Sequence, residues 1–184
     1  ERKYRNVVNS QYKYASSFVA PTASVLVVDD NEMNLKVMEG LLKRTMVKMD
    51  FVTGGYDCLI KTKEKVYDLI LMDHMMPEPD GIAVMKMIRS TSGCASCGSD
   101  IIVVTANAVT GAREQYLSEG FTDYISKPVD FDILSRILLR YLPEDKKLFK
   151  NSCNETVSYD INHIEAARKE AVKCTTVRWF LIPG

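Results

Sequence analysis

Four strand-like runs in this chain each lead to a residue able to do chemistry: Asp29 and Asp30 follow Val25-Leu26-Val27-Val28, Asp73 follows Leu69-Ile70-Leu71-Met72, Thr105 follows Ile101-Ile102-Val103-Val104, and Lys127-Pro128 follows Asp123-Tyr124-Ile125-Ser126. If the fold gathers them, three carboxylates stand at close quarters, which is costly unless a cation or a proton relieves the repulsion. A hard divalent cation suits such a site. Mg²⁺ takes one or two carboxylates and leaves its other positions to water and phosphate oxygens. Lys127 would add a mobile positive charge, and Thr105 a hydroxyl that can donate to an anionic oxygen. Asp73 could then attack phosphorus in line, forming an acyl phosphate.

Each residue also has a plainer reading. Asp29-Asp30 could cap the helix that follows, Lys127-Pro128 could be a turn, and Asp73, shortly before Met75-Met76-Pro77, could be a turn residue too. These readings leave unexplained why all four fall at strand ends.

The elements that must position them alternate between strand-like and helix-like patterns from about Ser24 to Leu142, predicting a parallel sheet covered by helices on both faces. The strands expected are 25–29, 47–52, 69–72, 101–104 and 123–126. Three of them are continuous apolar runs, as strands buried on both faces should be. Val47, Met49 and Phe51 alternate instead with Lys48 and Asp50, as on an edge strand. Leu35, Met38 and Leu42 mark an amphipathic helix after Asp30, and Ile82, Met85 and Ile88 mark another. Gly120 terminates a helix before the fifth strand. Asp130 caps a last helix with the stripe Leu134, Ile137, Leu138 and Tyr141, which Pro143 stops. In such a sheet the crevice lies outside the carboxyl ends of the central strands, where strand order switches.

The chain of 184 residues fits one domain with residues to spare, expected as an N-terminal linker over 1–23, a domain over 24–142, and a C-terminal linker or tail with a short helix over 143–184. Lys3 to Phe18 could be helical, and Asp160 could cap a helix reaching Lys173. The 24 basic and 24 acidic residues cancel, so no global field favours nucleic acid or an anionic membrane. No apolar run is long enough to span a bilayer, which predicts a cytoplasmic segment. The five cysteines lack a disulfide-rich spacing, and Cys94-Ala95-Ser96-Cys97 would need two further zinc ligands when only His74 and His163 exist. Beginning without Met and stopping at Ile182-Pro183-Gly184, the chain reads as part of a longer polypeptide.

Val28-Asp29-Asp30, Met72-Asp73 with Met75-Met76-Pro77 and Asp80-Gly81 after it, Thr105-Ala106 and Lys127-Pro128 together resemble the receiver domain of two-component response regulators. The resemblance implies a flavodoxin-like, doubly wound sheet with strand order 2-1-3-4-5. It implies Asp73 as phosphoacceptor, Mg²⁺ held by Asp29, Asp30, Asp73 and the main-chain carbonyl of Met75, and Lys127 paired with the phosphoryl group. Thr105 would be the switch hydroxyl and Tyr124 the switch aromatic, while Met75 and Asn107 tune phosphate lifetime. The implied partner is a histidine kinase or histidine phosphotransfer domain, as donor or acceptor. A homodimer through the fourth helix, fifth strand and fifth helix is compatible with this.

The flanks are similar to those of internal receivers of bacterial hybrid sensor histidine kinases, whose parent can be membrane-anchored. Such a fragment would catalyse only its own phosphorylation and dephosphorylation, without direct nucleic-acid or membrane contact. A receiver cut from a DNA-binding regulator, a binding-only pseudo-receiver and a metal-dependent phosphohydrolase are the alternatives. A pseudo-receiver predicts a degraded acidic pocket. A hydrolase needs an acid or base beside Asp73, and Met75 offers neither.

Overall fold

Apolar runs with no polar interruption have to be covered on both faces, and the structure, a computed structural model describing residues 18–106 and 111–149, covers them. The chain runs β1 (Ser24–Val28), α1 (Glu32–Leu42), β2 (Lys48–Val52), α2 (Gly55–Glu64), β3 (Leu69–Asp73), α3 (Gly81–Ser90), β4 (Asp100–Thr105), α4 (Ala112–Glu119), β5 (Asp123–Ser126) and α5 (Phe131–Tyr141). The five strands are parallel in the order β2-β1-β3-β4-β5, as the resemblance implied. The alternating strand β2 is indeed at an edge.

Side chains alternate across each strand, so the sheet builds two cores. Val25, Val27, Leu69, Leu71, Ile102 and Val104 meet Leu35, Met38 and Leu42 of α1 and Leu134, Ile137 and Leu138 of α5. On the other face Leu26, Val28, Ile70, Met72, Ile101 and Val103 meet Val84, Met85 and Ile88 of α3, with Cys58 of α2 and Tyr116 of α4. The chain turns one way from β1 to reach β2 and the other way to reach β3. The crevice between the ends of β1 and β3 therefore has no crossover lying over it.

Helix ends follow their caps. Asp80 accepts from Ala83 N at the start of α3, Asp130 accepts from Ile133 N at 2.7 Å at the start of α5, and Gly120 closes α4 in the left-handed region with φ 116°. At α1 the cap is Asn31, whose side chain accepts from Met33 N, and not the acidic pair before it.

A second, two-stranded sheet accompanies the five-stranded one, and short-range patterns do not announce it. Phe18–Val19 pairs antiparallel with Leu148–Phe149, with the two phenyl rings 6.5 Å apart. Phe18, Ala20 and Ala23 are buried in the α1/α5 core, and Ala20 N donates to Thr45 O at 2.8 Å. Lys146 reaches Asp68 at 2.6 Å, and the buried Lys147 donates to Leu139 O. Residues expected in the two linkers thus form a clasp on the domain, because two apolar residues per strand are too few to register as a strand in sequence. The helix expected up to Phe18 and the helix expected over 160–173 otherwise lie outside the described residues. No helix among the described residues is long and apolar enough to cross a membrane.

Candidate functional site

The acidic pair comes off the end of β1, where Asp29 N donates to Val52 O at 3.2 Å, and Asp73 is the last residue of β3. Carboxylate oxygens of Asp29, Asp30 and Asp73 lie within 4.8 Å of one another. Asp29 and Asp73 are buried and Asp30 is exposed. Asn31, and neither residue of the acidic pair, caps the helix. Lys127, held at the loop after β5, places Nζ 2.8 Å from Asp29 Oδ2 and 2.9 Å from Asp73 Oδ2. Asn34, one turn into α1, donates to Asp29 Oδ1 at 2.9 Å, and Asn31 N donates to the same oxygen at 3.0 Å. Sequence reading missed Asn34. Its only signal was an amide on the face of α1 turned toward the strand end.

Two buried carboxylates and one nearby ammonium set opposing pressures. Burial pushes the Asp73 carboxyl above its ordinary range; Lys127 opposes this, and the like charge of Asp29 reinforces it. Burial also works against the Lys127 ammonium, but the carboxylates of Asp29 and Asp73 prevail and hold it above the ordinary lysine value. With all groups ionised, three carboxylates and one ammonium leave two negative charges uncompensated. That donor set suits a divalent, oxygen-preferring cation.

Chain folding around Asp73 is tight. Met75 N donates to Asp73 Oδ1 at 3.3 Å, and Gly81 N donates to His74 O at 3.2 Å. A side chain at Gly81 would run into the main-chain oxygen of Asp73, so the loop can turn back only on a glycine. The side chain of Met75 is exposed and brings no acid or base to Asp73.

Thr105 ends β4 fully buried, and Tyr124 of β5 is half-buried. Between them stands Tyr116 of α4, whose ring stacks on that of Tyr124 with centroids 5.9 Å apart. Sequence reading did not single out Tyr116. Asn107 lies outside the described residues, as does His163.

Among the described residues the Cys94/Cys97 pair belongs to no cluster of three metal-ligating side chains. Cys94 is buried, with Sγ 3.2 Å from Thr62 O, and Cys97 is exposed. Among the described residues only the aspartate cluster brings three potential metal ligands together.

The response regulator receiver domain family matches residues 25–138. The signal transduction histidine-protein kinase BarA of Escherichia coli K12 is 36% identical over 120 residues, covering 65% of this chain and 13% of BarA. This chain therefore spans a small part of that relative's length. Among solved structures, the receiver domain of a sensor histidine kinase from Pseudomonas aeruginosa PAO1, with magnesium coordinated in its active-site cleft, is 34% identical at a TM-score of 0.58. That match covers 65% of this chain and 96% of that one. The receiver domain of Ssk1 from Saccharomyces cerevisiae, in complex with the histidine phosphotransfer protein Ypd1, is 25% identical at a TM-score of 0.60, covering 70% and 94%. With the acidic cluster, the bridging lysine and the buried hydroxyl all at the carboxyl edge of a 2-1-3-4-5 sheet, this chain belongs to the response regulator receiver domain family.

Proposed function

We propose that Asp73 accepts a phosphoryl group from a phosphohistidine. The observation that carries this reading is the placement of Lys127 Nζ within 3 Å of both Asp29 and Asp73 at the mouth of the crevice. A carboxylate oxygen of Asp73 forms the new bond to phosphorus while the bond from phosphorus to the imidazole nitrogen of the donor breaks. The products are an acyl phosphate and a free histidine. Asp29, Asp30, Asp73 and the main-chain carbonyl of Met75 would hold Mg²⁺, which supplies charge neutralisation on the transferring oxygens. Lys127 moves from its carboxylate partners toward the phosphoryl group, and Asn34 keeps Asp29 oriented as it does so.

Thr105 then donates to a phosphoryl oxygen and Tyr124 turns toward the space it leaves, biasing a two-state equilibrium. Met75 and Asn107 set how long the acyl phosphate lasts. The donor is a histidine kinase or a histidine phosphotransfer domain, in keeping with the Ypd1 complex of the Ssk1 receiver and the kinase relatives. The receiver spans 24–142 and is an internal module of a bacterial hybrid sensor histidine kinase, working in the cytoplasm. The surface of α4, β5 and α5 is its output face and offers a homodimer contact. Phosphoramidate, whose P–N bond stands in for phosphohistidine, tests the reading. Label should enter with Mg²⁺, stay out with EDTA, and leave on mild alkaline treatment as an acyl phosphate does. Label that resists base, or that enters without a divalent cation, would contradict it.

A further inference from the structure

The hydroxyl of Tyr116 lies 2.7 Å from His74 Nδ1 and 3.4 Å from Thr105 Oγ1. A phenol has one proton, so it donates in one of these contacts and accepts in the other. The shorter is a full hydrogen bond to the residue next to Asp73, whereas the longer is weak and easily given up. The ring is 3% exposed and is clamped by others: edge-on to His74 and Phe121, and stacked on Tyr124 with 18° between planes. On α4 only Ala112 and Tyr116 are buried, so Tyr116 is the one large buried side chain holding that helix to the sheet, beside the half-exposed Arg113, which pairs with Asp123 of β5 at 2.9 Å.

We propose that Tyr116 is a latch for the switch: held by His74 and Thr105, it fills the space beside the switch hydroxyl that Tyr124 needs, so activation must release Tyr116 and thereby shift α4. This rests on the phosphoacceptor reading above and adds a positioning residue to it. When Thr105 swings toward the phosphoryl group its contact with Tyr116 is lost. Tyr124 cannot occupy the vacated space while the Tyr116 ring stands there, stacked against it. Displacing the ring means moving the one large buried side chain of α4, with only the partly exposed Arg113–Asp123 pair left to hold the helix to β5. The local event at Thr105 therefore becomes a displacement of the helix. In the resting state the bond to His74 opposes that displacement.

The test is the affinity for beryllofluoride in the presence of Mg²⁺, since this ion stands in for a phosphoryl group on a carboxylate, with the thermal midpoint of every variant measured alongside. Tyr116→Phe keeps the ring and removes the latch. It should bind beryllofluoride about two- to tenfold more tightly, the range of one net hydrogen bond. His74→Leu removes the stronger partner and should shift affinity in the same direction. In a Thr105→Val background, Tyr116→Phe should change nothing, because the hydroxyl whose movement demands release is gone. Unchanged or weaker affinity in both single variants, with wild-type binding intact, would overturn the latch, whatever happens to the thermal midpoint. Equal tightening with and without Thr105 would overturn it as well. Failure of the wild type itself to bind would instead overturn the phosphoacceptor reading and the latch with it.

Discussion

Asp73 carries two opposed requirements, since a nucleophile must be ionised while burial beside Asp29 favours its protonated form. A carboxyl whose folded value is raised stabilises the fold fully below its unfolded value and loses that contribution as pH rises through the folded value. In EDTA, the difference in thermal midpoint between wild type and Asp73→Asn should therefore move against the wild type as pH climbs from 4 to 7. A difference independent of pH would show that Asp73 is unperturbed. Mg²⁺ should reverse the effect, because it binds the ionised cluster. At a hundredfold excess over its dissociation constant a cation adds about 2.7 kcal/mol, and Asp29→Asn should lose most of that gain in the same thermal measurement. At this scale the sequence was highly legible, since aspartate, threonine and lysine at strand ends announce themselves by type. Asn34 and Tyr116 did not, because an amide and an aromatic on helices are ordinary until their partners across the fold are seen.

Elements were legible in proportion to their stripes. α1, α3 and α5 bury apolar residues at helical spacing, so periodicity finds them. α2 buries Gly55, Cys58 and Thr62, and α4 only Ala112 and Tyr116, so neither shows an apolar stripe; α4 was visible mainly through its glycine terminator. Two element-level substitutions follow from the loops that carry the site. Gly81→Ala forces the start of α3 away from the carbonyl of Asp73, and should cost about 1–3 kcal/mol in urea unfolding as overpacking does. It should also slow phosphorylation, because the strained atom belongs to the acceptor residue. Asn31→Ala should cost about 1 kcal/mol as a lost cap, with phosphorylation retained, since Asn31 uses its side chain on Met33 N. Equal loss of activity in both variants would mean that the two loops are not distinct in function.

Across the whole molecule, the doubly wound sheet is what brings residues from four strand ends to one edge; alternation of pattern foresaw a parallel sheet covered on both faces, and the family resemblance supplied its strand order. The clasp of Phe18–Val19 with Leu148–Phe149 was not foreseen, because each strand is two residues long, only Phe18 is buried in the α1/α5 core, and Leu148 and Phe149 are exposed. Phe18→Ala should cost about 3–5 kcal/mol by urea denaturation, as for other buried phenylalanines. A change below about 1 kcal/mol would mean that the clasp is ornamental to the fold. Every role assigned at this edge depends on Asp73 taking the phosphoryl group. Intact mass after incubation with acetyl phosphate and Mg²⁺, for wild type and Asp73→Asn, tests it most directly. One added phosphoryl group in the wild type and none in the variant is the predicted result. An equal gain in both proteins, or none in the wild type, would show that Asp73 is not the phosphoacceptor.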